Sequence, residues 1–484
     1  MNFATPAFLL FLVVVAGAAL ITNTPKARKV VLLVASYIFY ATWNVPFIAL
    51  ILLSTSIDYF LSKQIASTNE TSERKSLLTL GIVINLAVLG VFKYCNFFID
   101  SANQTLNALF HHSHALHHLA LLLPLGISFY TFEAISYLVD VYRGEAPAES
   151  FYAYNFYIMY FPHLISGPIV RYKELAPQVR DGAFLPSVET VKKGCELIIL
   201  GLVFKVIFAD SVSDLADPVF SNITSAKVSA AYVAWAAFTA QIYFDFMGYT
   251  HIARGVSLLF NVSLPLNFDH PYNATNISNF WERWHISLSR WIRDYLYIPL
   301  GGSRGGATRT AWNLLLTMTI AGFWHGAGWP FIIWGAYHGF LLLFYHVLKP
   351  QRELWKAALG GNAFGSVTYD QASRVLTLLL TSMGWIWFRS PNLETGVQFF
   401  DKLARFTTLF HEQALCVAKS DYTFFATMLL LIVMCTSGPL FVSLRNKLFP
   451  DLPYWVKVQG ASTALVLCYI FAGTETKPFI YFQF

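Results

Sequence analysis

Apolar residues recur along this chain in runs of about 20, the length a helix needs to cross the hydrocarbon core of a bilayer. Such runs stand near residues 5–22, 77–97, 120–142, 190–209, 229–249, 311–348 (enough for a pair), 372–389, 422–441 and 457–473. The stretch 30–61 is too long for one helix and carries Trp43, Asn44 and Pro46 near its middle, which predicts two helices joined by a tight turn. Residues 151–170 are aromatic but interrupted by Pro162 and Gly167, and predict a re-entrant or kinked segment rather than a plain span. The pattern predicts an all-α polytopic membrane protein of roughly 10 to 12 transmembrane helices, with re-entrant or interfacial helices between them. The longest polar insert, about 350–371, is too short to fold alone, so a single membrane domain over 1–484 is expected.

Composition agrees with that pattern. Hydrophobic residues make up 56% of the chain and charged residues 12%, about half the charge of a soluble domain. The net charge of +6 is too small for its length to signal nucleic-acid binding. The positions of the cations are more informative, because Lys and Arg mark cytoplasmic loops. They cluster at Lys26–Lys29, at Lys63 with Arg74 and Lys75, at Arg171–Arg180 and at Arg283–Arg309, whereas loop 98–119 has none. All clusters fall on one side if 30–61 is a hairpin. The apolar run Phe8–Leu20 has no basic residue before it and Lys26, Arg28 and Lys29 after it, which suits a retained first helix better than a cleaved leader. Five scattered cysteines (Cys95, Cys195, Cys416, Cys435, Cys468) without CxxC spacing argue against a disulfide framework or a zinc site.

Ionisable groups at membrane depth cost free energy, so they mark candidate functional positions. They are densest between 241 and 339. Gln241 to Tyr249 places Asp245 at the end of an apolar run. Phe280 to Tyr295 follows, where helical spacing would put Trp281, His285, Leu288 and Ile292 on one face of an interfacial amphipathic helix. Third comes Gly322-Phe-Trp-His325-Gly, then Trp334-Gly-Ala-Tyr-His338-Gly. A neutral imidazole is an inexpensive general base to keep in a low-dielectric site, because burial disfavours only its charged form. On chemistry alone His325 stays open between that role and a hydrogen-bonding group between helices. His338 reads as structural, and Asp245 as a site residue, the ion-pair partner of an arginine, or a helix cap. The Gly301–Gly306 loop has the composition of a phosphate cradle or of a flexible turn. Clustered histidines at His111, His112, His114, His117 and His118 under-specify a metal site, and no acidic or Cys partner is expected to accompany them. No metal is expected.

These segments together resemble the membrane-bound O-acyltransferase family, in its bacterial polysaccharide-acetylating branch. The resemblance extends over Leu123–Glu133, Tyr137–Arg143, Phe161–Arg171, Tyr243–Phe246 and Phe280–Gly302, with a core at about 120–345. Its most specific feature is a pair of histidines forty residues apart, His285 after Arg-Trp and His325 before Gly, each in a Trp-rich setting. The resemblance implies that His325 is catalytic and that His285 supports it. It also implies a ring of helices around a central funnel. Trp281, Arg283, Ser289, Arg290, Arg293, Trp324 and Asp245 become candidates for substrate or donor binding. Arg283, Arg290, Arg293, Arg304 and Arg309 would ring the cytoplasmic mouth, where the phosphates of a coenzyme A thioester favour cations.

The function so implied is O-acetylation of an extracytoplasmic polysaccharide, either an exopolysaccharide such as alginate or cellulose, or peptidoglycan. The enzyme would sit in the bacterial cytoplasmic membrane, use acetyl-coenzyme A as donor and hold no permanent cofactor. The acceptor is either the saccharide or a serine on an extracytoplasmic partner of the SGNH-hydrolase type. Two rivals remain at this point. One is D-alanyl transfer from a carrier protein toward teichoic acid. The other is a proton-coupled transporter using Asp245, His285 and His325, which the absence of repeated broken helices disfavours.

Overall fold

The computed structural model describes residues 3–110, 116–180, 184–359, 363–407, 428–433, 436–448, 452–472 and 477–480. The fold is all-α: helices occupy every apolar run predicted above that falls within the described residues. The run 422–441 is described only at 428–433 and from 436 onward. Among the described residues, three helices are long and apolar enough to cross a membrane, Pro46–Ser67, Thr71–Phe110 and Trp329–Val347, with shorter apolar helices at Pro6–Ile21 and Trp455–Phe471. Two compact units arise, one from Met1–Ile198 with Thr250–Pro265, the other from Ile199–Tyr249 with Leu266–Phe484. The long helix Val228–Leu258 contributes to both.

The first unit begins as the sequence predicts. Helices Pro25–Ala41 and Pro46–Ser67 are joined by a turn at Thr42–Val45, and each carries proline in its first turn, where the missing N–H costs nothing. The run 120–142 becomes helical only at Ile127, after Pro124 and Gly126. Gly126 has φ +76°, and a side chain there would press on the backbone at Leu164 and Ile165. Residues 151–170 are broken as predicted, into Phe151–Met159 and a short turn Phe161–Leu164. Buried polar groups hold this irregular backbone in place. Glu133 lies 3.0 Å from His163 Nδ1 and accepts from Val170 N–H at 3.2 Å, while Tyr157 O–H donates to the Val170 carbonyl at 2.8 Å. Non-helical backbone at membrane depth is tolerated only where protein satisfies it in this way.

The second unit is organised by a hairpin of helices Gly306–His325 and Trp329–Val347. Their axes approach through facing glycines: a Cβ on Gly322 would collide with the Phe331 carbonyl, and one on Gly335 with the Met318 carbonyl. Small residues at such crossings allow the backbone contact on which membrane helix pairs rely. Gly335→Leu is therefore expected to force the hairpin apart, at an overpacking cost of at least 1–3 kcal/mol, roughly. Loss of folded protein from membranes, read by size-exclusion of fluorescent fusions, is the check. The polar insert near 350–371 is helical on both sides of residues 360–362, as Lys349–Leu359 and as the start of Ala363–Arg389. That last helix brings Trp385 and Phe388 into a core with Phe280, Trp284 and Trp334.

Candidate active site

His325 is the last residue of helix Gly306–His325, and Gly326 after it turns extended (φ −155°, ψ 147°). The glycine lets the chain leave the helix beneath Phe331, whose ring a side chain at 326 would strike. His325 thus sits at a helix end, 5% exposed, with Trp324, Trp334 and Phe388 packed around it at 4.9, 5.1 and 5.3 Å between centroids.

His285 arrives by a different device, and here the structure corrects the sequence reading. Residues 280–295 do not form one amphipathic helix. Helix Ile277–Arg283 stops at Trp284, His285 takes a left-handed conformation (φ 43°, ψ 55°), and a new helix Ile286–Ile292 begins, so Trp281, His285, Leu288 and Ile292 do not share a helical face. Asn267 explains the break by meeting the backbone groups it exposes. Its carbonyl oxygen accepts from Ile286 N–H at 3.0 Å, and its side-chain oxygen accepts from Ser287 N–H at 3.1 Å and Ser287 O–H at 2.8 Å. Ser289 O–H closes the other side by donating to the Trp284 carbonyl at 3.1 Å. Periodicity cannot reveal this arrangement, because the satisfying partner lies eighteen residues upstream of His285.

The break delivers His285, fully buried, to 6.4 Å from His325 between ring centroids, with Trp324 beside both. The Phe246 ring meets the His285 ring edge-on at 4.7 Å. His285 lies among short helices rather than in a spanning one, and burial pushes its pKa down to about 3, so it is neutral at physiological pH. His338, read from sequence as structural, shares Trp334 with His325 and packs on Trp281 at 5.2 Å.

The remaining candidates divide. Trp324 lines the histidine pair, whereas Trp281 faces His338 and Trp334 instead. Asp245 turns from the histidines to a buried Lys205, 2.7 Å away, although its neighbour Phe246 touches His285. This is the ion-pair alternative, with lysine rather than arginine as partner. Arg283 is engaged by Asn279 and Asp269, and Arg293 by Asp294. Arg290, Arg304 and Arg309 are exposed, and Arg309 donates to the Leu300 carbonyl beneath the glycine loop. Gly301, Gly302 and Gly306 there all have positive φ, which suits a tight turn. In the histidine-rich run, residues 111–115 lie outside the described residues, and His118 pairs with Asp100 on the preceding helix, an acidic partner the run itself lacks. Cys416 and Cys435 also lie outside the described residues. Asn267 was missed: its signal was only a lone amide between Leu266 and Phe268, 1% exposed in the fold.

The profile of the membrane-bound O-acyltransferase family matches residues 31–357, a range that contains both histidines. The chain belongs to that family. It is therefore a membrane protein and an O-acyltransferase. It is 40% identical to the probable alginate O-acetylase of Pseudomonas aeruginosa over 84% of this chain and 76% of the relative. It is 35% identical to the peptidoglycan O-acetyltransferase of Helicobacter pylori, covering 78% and 73% of the two chains. The teichoic acid D-alanyltransferase of Bacillus subtilis is 28% identical over 48% of this chain and 61% of its own.

Proposed function

We propose that this protein is a multi-pass O-acetyltransferase of the bacterial cytoplasmic membrane that moves an acetyl group from acetyl-coenzyme A toward a hydroxyl, for O-acetylation of an extracytoplasmic polysaccharide. The observation that carries this reading is the approach of His325 and His285 to 6.4 Å inside a buried aromatic enclosure. His325 is the general base. It takes the proton of the acceptor hydroxyl as that oxygen bonds to the thioester carbonyl carbon. When the tetrahedral intermediate collapses, the carbon–sulfur bond breaks and the imidazolium returns the proton to the departing thiolate. The Trp324, Trp334 and Phe388 rings cover His325 and so limit the bulk water that would otherwise compete for the acetyl group.

Acetyl rather than D-alanyl is favoured by the breadth of the match, since the acetyl-transferring relatives align over most of the chain and the D-alanyl-transferring one over about half. The acceptor that leaves the membrane is either the saccharide or a serine of an SGNH-type partner. Membranes from cells expressing the chain, supplied with acetyl-labelled coenzyme A thioester, should gain alkali-labile label in polysaccharide. Label that appears only from a D-alanyl carrier protein would overturn the acetyl reading.

The donor's phosphates are assigned to the exposed guanidinium groups of Arg290 and Arg304. Each charge-assisted contact to phosphate is worth about 1.5–3 kcal/mol. The double variant Arg290→Ala/Arg304→Ala is accordingly expected to raise KM for acetyl-coenzyme A about a hundredfold or more, while kcat changes little. Titration of the donor in membrane vesicles makes the measurement, and an unchanged KM would remove these residues from the donor site.

A further inference from the structure

We propose that Asn267 is a positioning residue that locks His285 in the tautomer protonated on Nδ1, so that His285 serves His325 as a hydrogen-bond acceptor rather than serving the oxyanion as a donor. This deepens the acyl-transfer reading above and rests on it.

The inference follows from which atoms can donate. Ser287 N–H points at the Asn267 side chain at 3.1 Å, and a backbone N–H can only donate. The atom facing it is therefore the amide oxygen. The same oxygen takes Ser287 O–H at 2.8 Å and lies 3.2 Å from His285 Nδ1. An oxygen that carries no hydrogen requires the imidazole nitrogen to be the donor. A neutral imidazole has one N–H, so the proton is on Nδ1 and the lone pair on Nε2. Asn267 also accepts Ile286 N–H through its main chain at 3.0 Å, and so grips the residue directly after His285. Both the ring orientation and the left-handed backbone at His285 (φ 43°), which side-chain-bearing residues rarely adopt, depend on one buried asparagine.

The tautomer has a chemical consequence. A neutral His285 with its lone pair on Nε2 has no hydrogen there to offer an oxyanion. It can accept a hydrogen bond, and the N–H that neutral His325 already carries on its other ring nitrogen becomes a stronger donor in need of an acceptor when the ring takes the hydroxyl proton. A centroid separation of 6.4 Å leaves room for one bridging oxygen between a nitrogen of each ring, given hydrogen bonds of about 2.7–3.2 Å. The order Asn267, His285, bridging oxygen, His325 then orients the base and stabilises its imidazolium, the part a third residue plays wherever a base must be aligned. The transferred proton stays on His325 until it leaves with the thiolate. Neither His285 nor Asn267 changes protonation.

Two pairs of variants test this in membrane vesicles from cells expressing the full chain, with acetyl-labelled coenzyme A as donor and alkali-labile label in polysaccharide as readout. At position 285, Gln places an amide near Nε2 and Asn one near Nδ1. His285→Gln is expected to retain at least about fivefold more transfer than His285→Asn, on the scale of a lost oriented contact at a catalytic base. A purely structural role predicts the reverse, because Asn is better suited to the left-handed backbone. At position 267, Asn267→Ala should lower transfer about tenfold or more. Asn267→Asp keeps an acceptor for Nδ1–H but adds a negative charge, which raises the pKa of His285. Its transfer should approach wild type at high pH and, as the pH drops through that raised value, fall further than the loss that protonation of the general base His325 imposes on both proteins. If Asn267→Ala does not accumulate, the Asp profile and the Gln–Asn order decide. Coincident pH profiles for Asn267→Asp and wild type, or His285→Asn equal to or above His285→Gln, would overturn the proposal. Activity in His325→Ala would instead overturn the reading beneath it.

Discussion

His325→Ala is expected to remove polysaccharide O-acetylation, with transfer falling by a factor of about 10²–10⁴ while the protein still accumulates. The size follows from the role, since an alcohol is a weak nucleophile and the other imidazole at the site, His285, is made a poor base by burial, which pushes its pKa down to about 3. Phe246 and the Trp324, Trp334 and Phe388 rings offer no base, and Asp245 is committed to Lys205. Mass spectrometry of alkali-released acetate, normalised to the amount of chain in the membrane, gives the result. Transfer at the wild-type rate would move the chemistry away from His325. His325→Gln is the sharper companion: it keeps much of the volume and a hydrogen-bonding tip, yet has no basic nitrogen, and should be as inactive as alanine.

Much of this was legible in the sequence, and the reason differs between fold and site. Apolar runs of spanning length report directly on helices, because lipid gives the backbone no other way to satisfy its polar groups. The turn at Thr42–Val45 and the break at 160 were equally readable, from Trp43, Asn44 and Pro46 and from Pro162 and Gly167. The two histidines stood out because imidazoles are conspicuous among apolar neighbours. What periodicity misread was the stretch around the first of them. A 3.6-residue repeat through 280–295 assumes an unbroken helix, and the break at His285 is stabilised by Asn267, a partner outside the window. Asp245 stayed open for a different reason. A carboxylate at the end of an apolar run reads equally as a binding residue or an ion-pair member, and its partner Lys205 is hidden in an earlier apolar run. Spacing along the chain shows that a buried charge exists, not which charge it meets.

That pair supports the second large expectation. Lys205 Nζ lies 2.7 Å from Asp245 and 2.7 Å from Asp210, and the side chains of Lys205 and Asp245 are 2% and 3% exposed. The other Asp245 oxygen accepts from Ile480 N–H at 2.8 Å, while Lys205 also donates to the Pro478 carbonyl and lies under the Phe479 ring. Lys477 reinforces the docked segment by reaching Asp214 and Ser213. The cluster thus fastens residues 477–480 to the helices that carry Lys205 and Asp245. Lys205→Met would strand two carboxylates together, and breaking a buried pair from one side costs about 3–5 kcal/mol. The variant should be poorly recovered from membranes, and its thermal transition in detergent should fall sharply. Asp245→Asn should be much milder, since Lys205 keeps Asp210 and the amide oxygen still accepts from Ile480 N–H. Combining the two leaves only Asp210, which is 19% exposed and partly hydrated, so the double variant should be more stable than Lys205→Met alone. Such non-additivity is what an ion pair produces when its members are removed separately. Transfer per folded molecule should remain near wild type in Asp245→Asn. Its loss at a normal amount of folded protein would return Asp245 to the reaction.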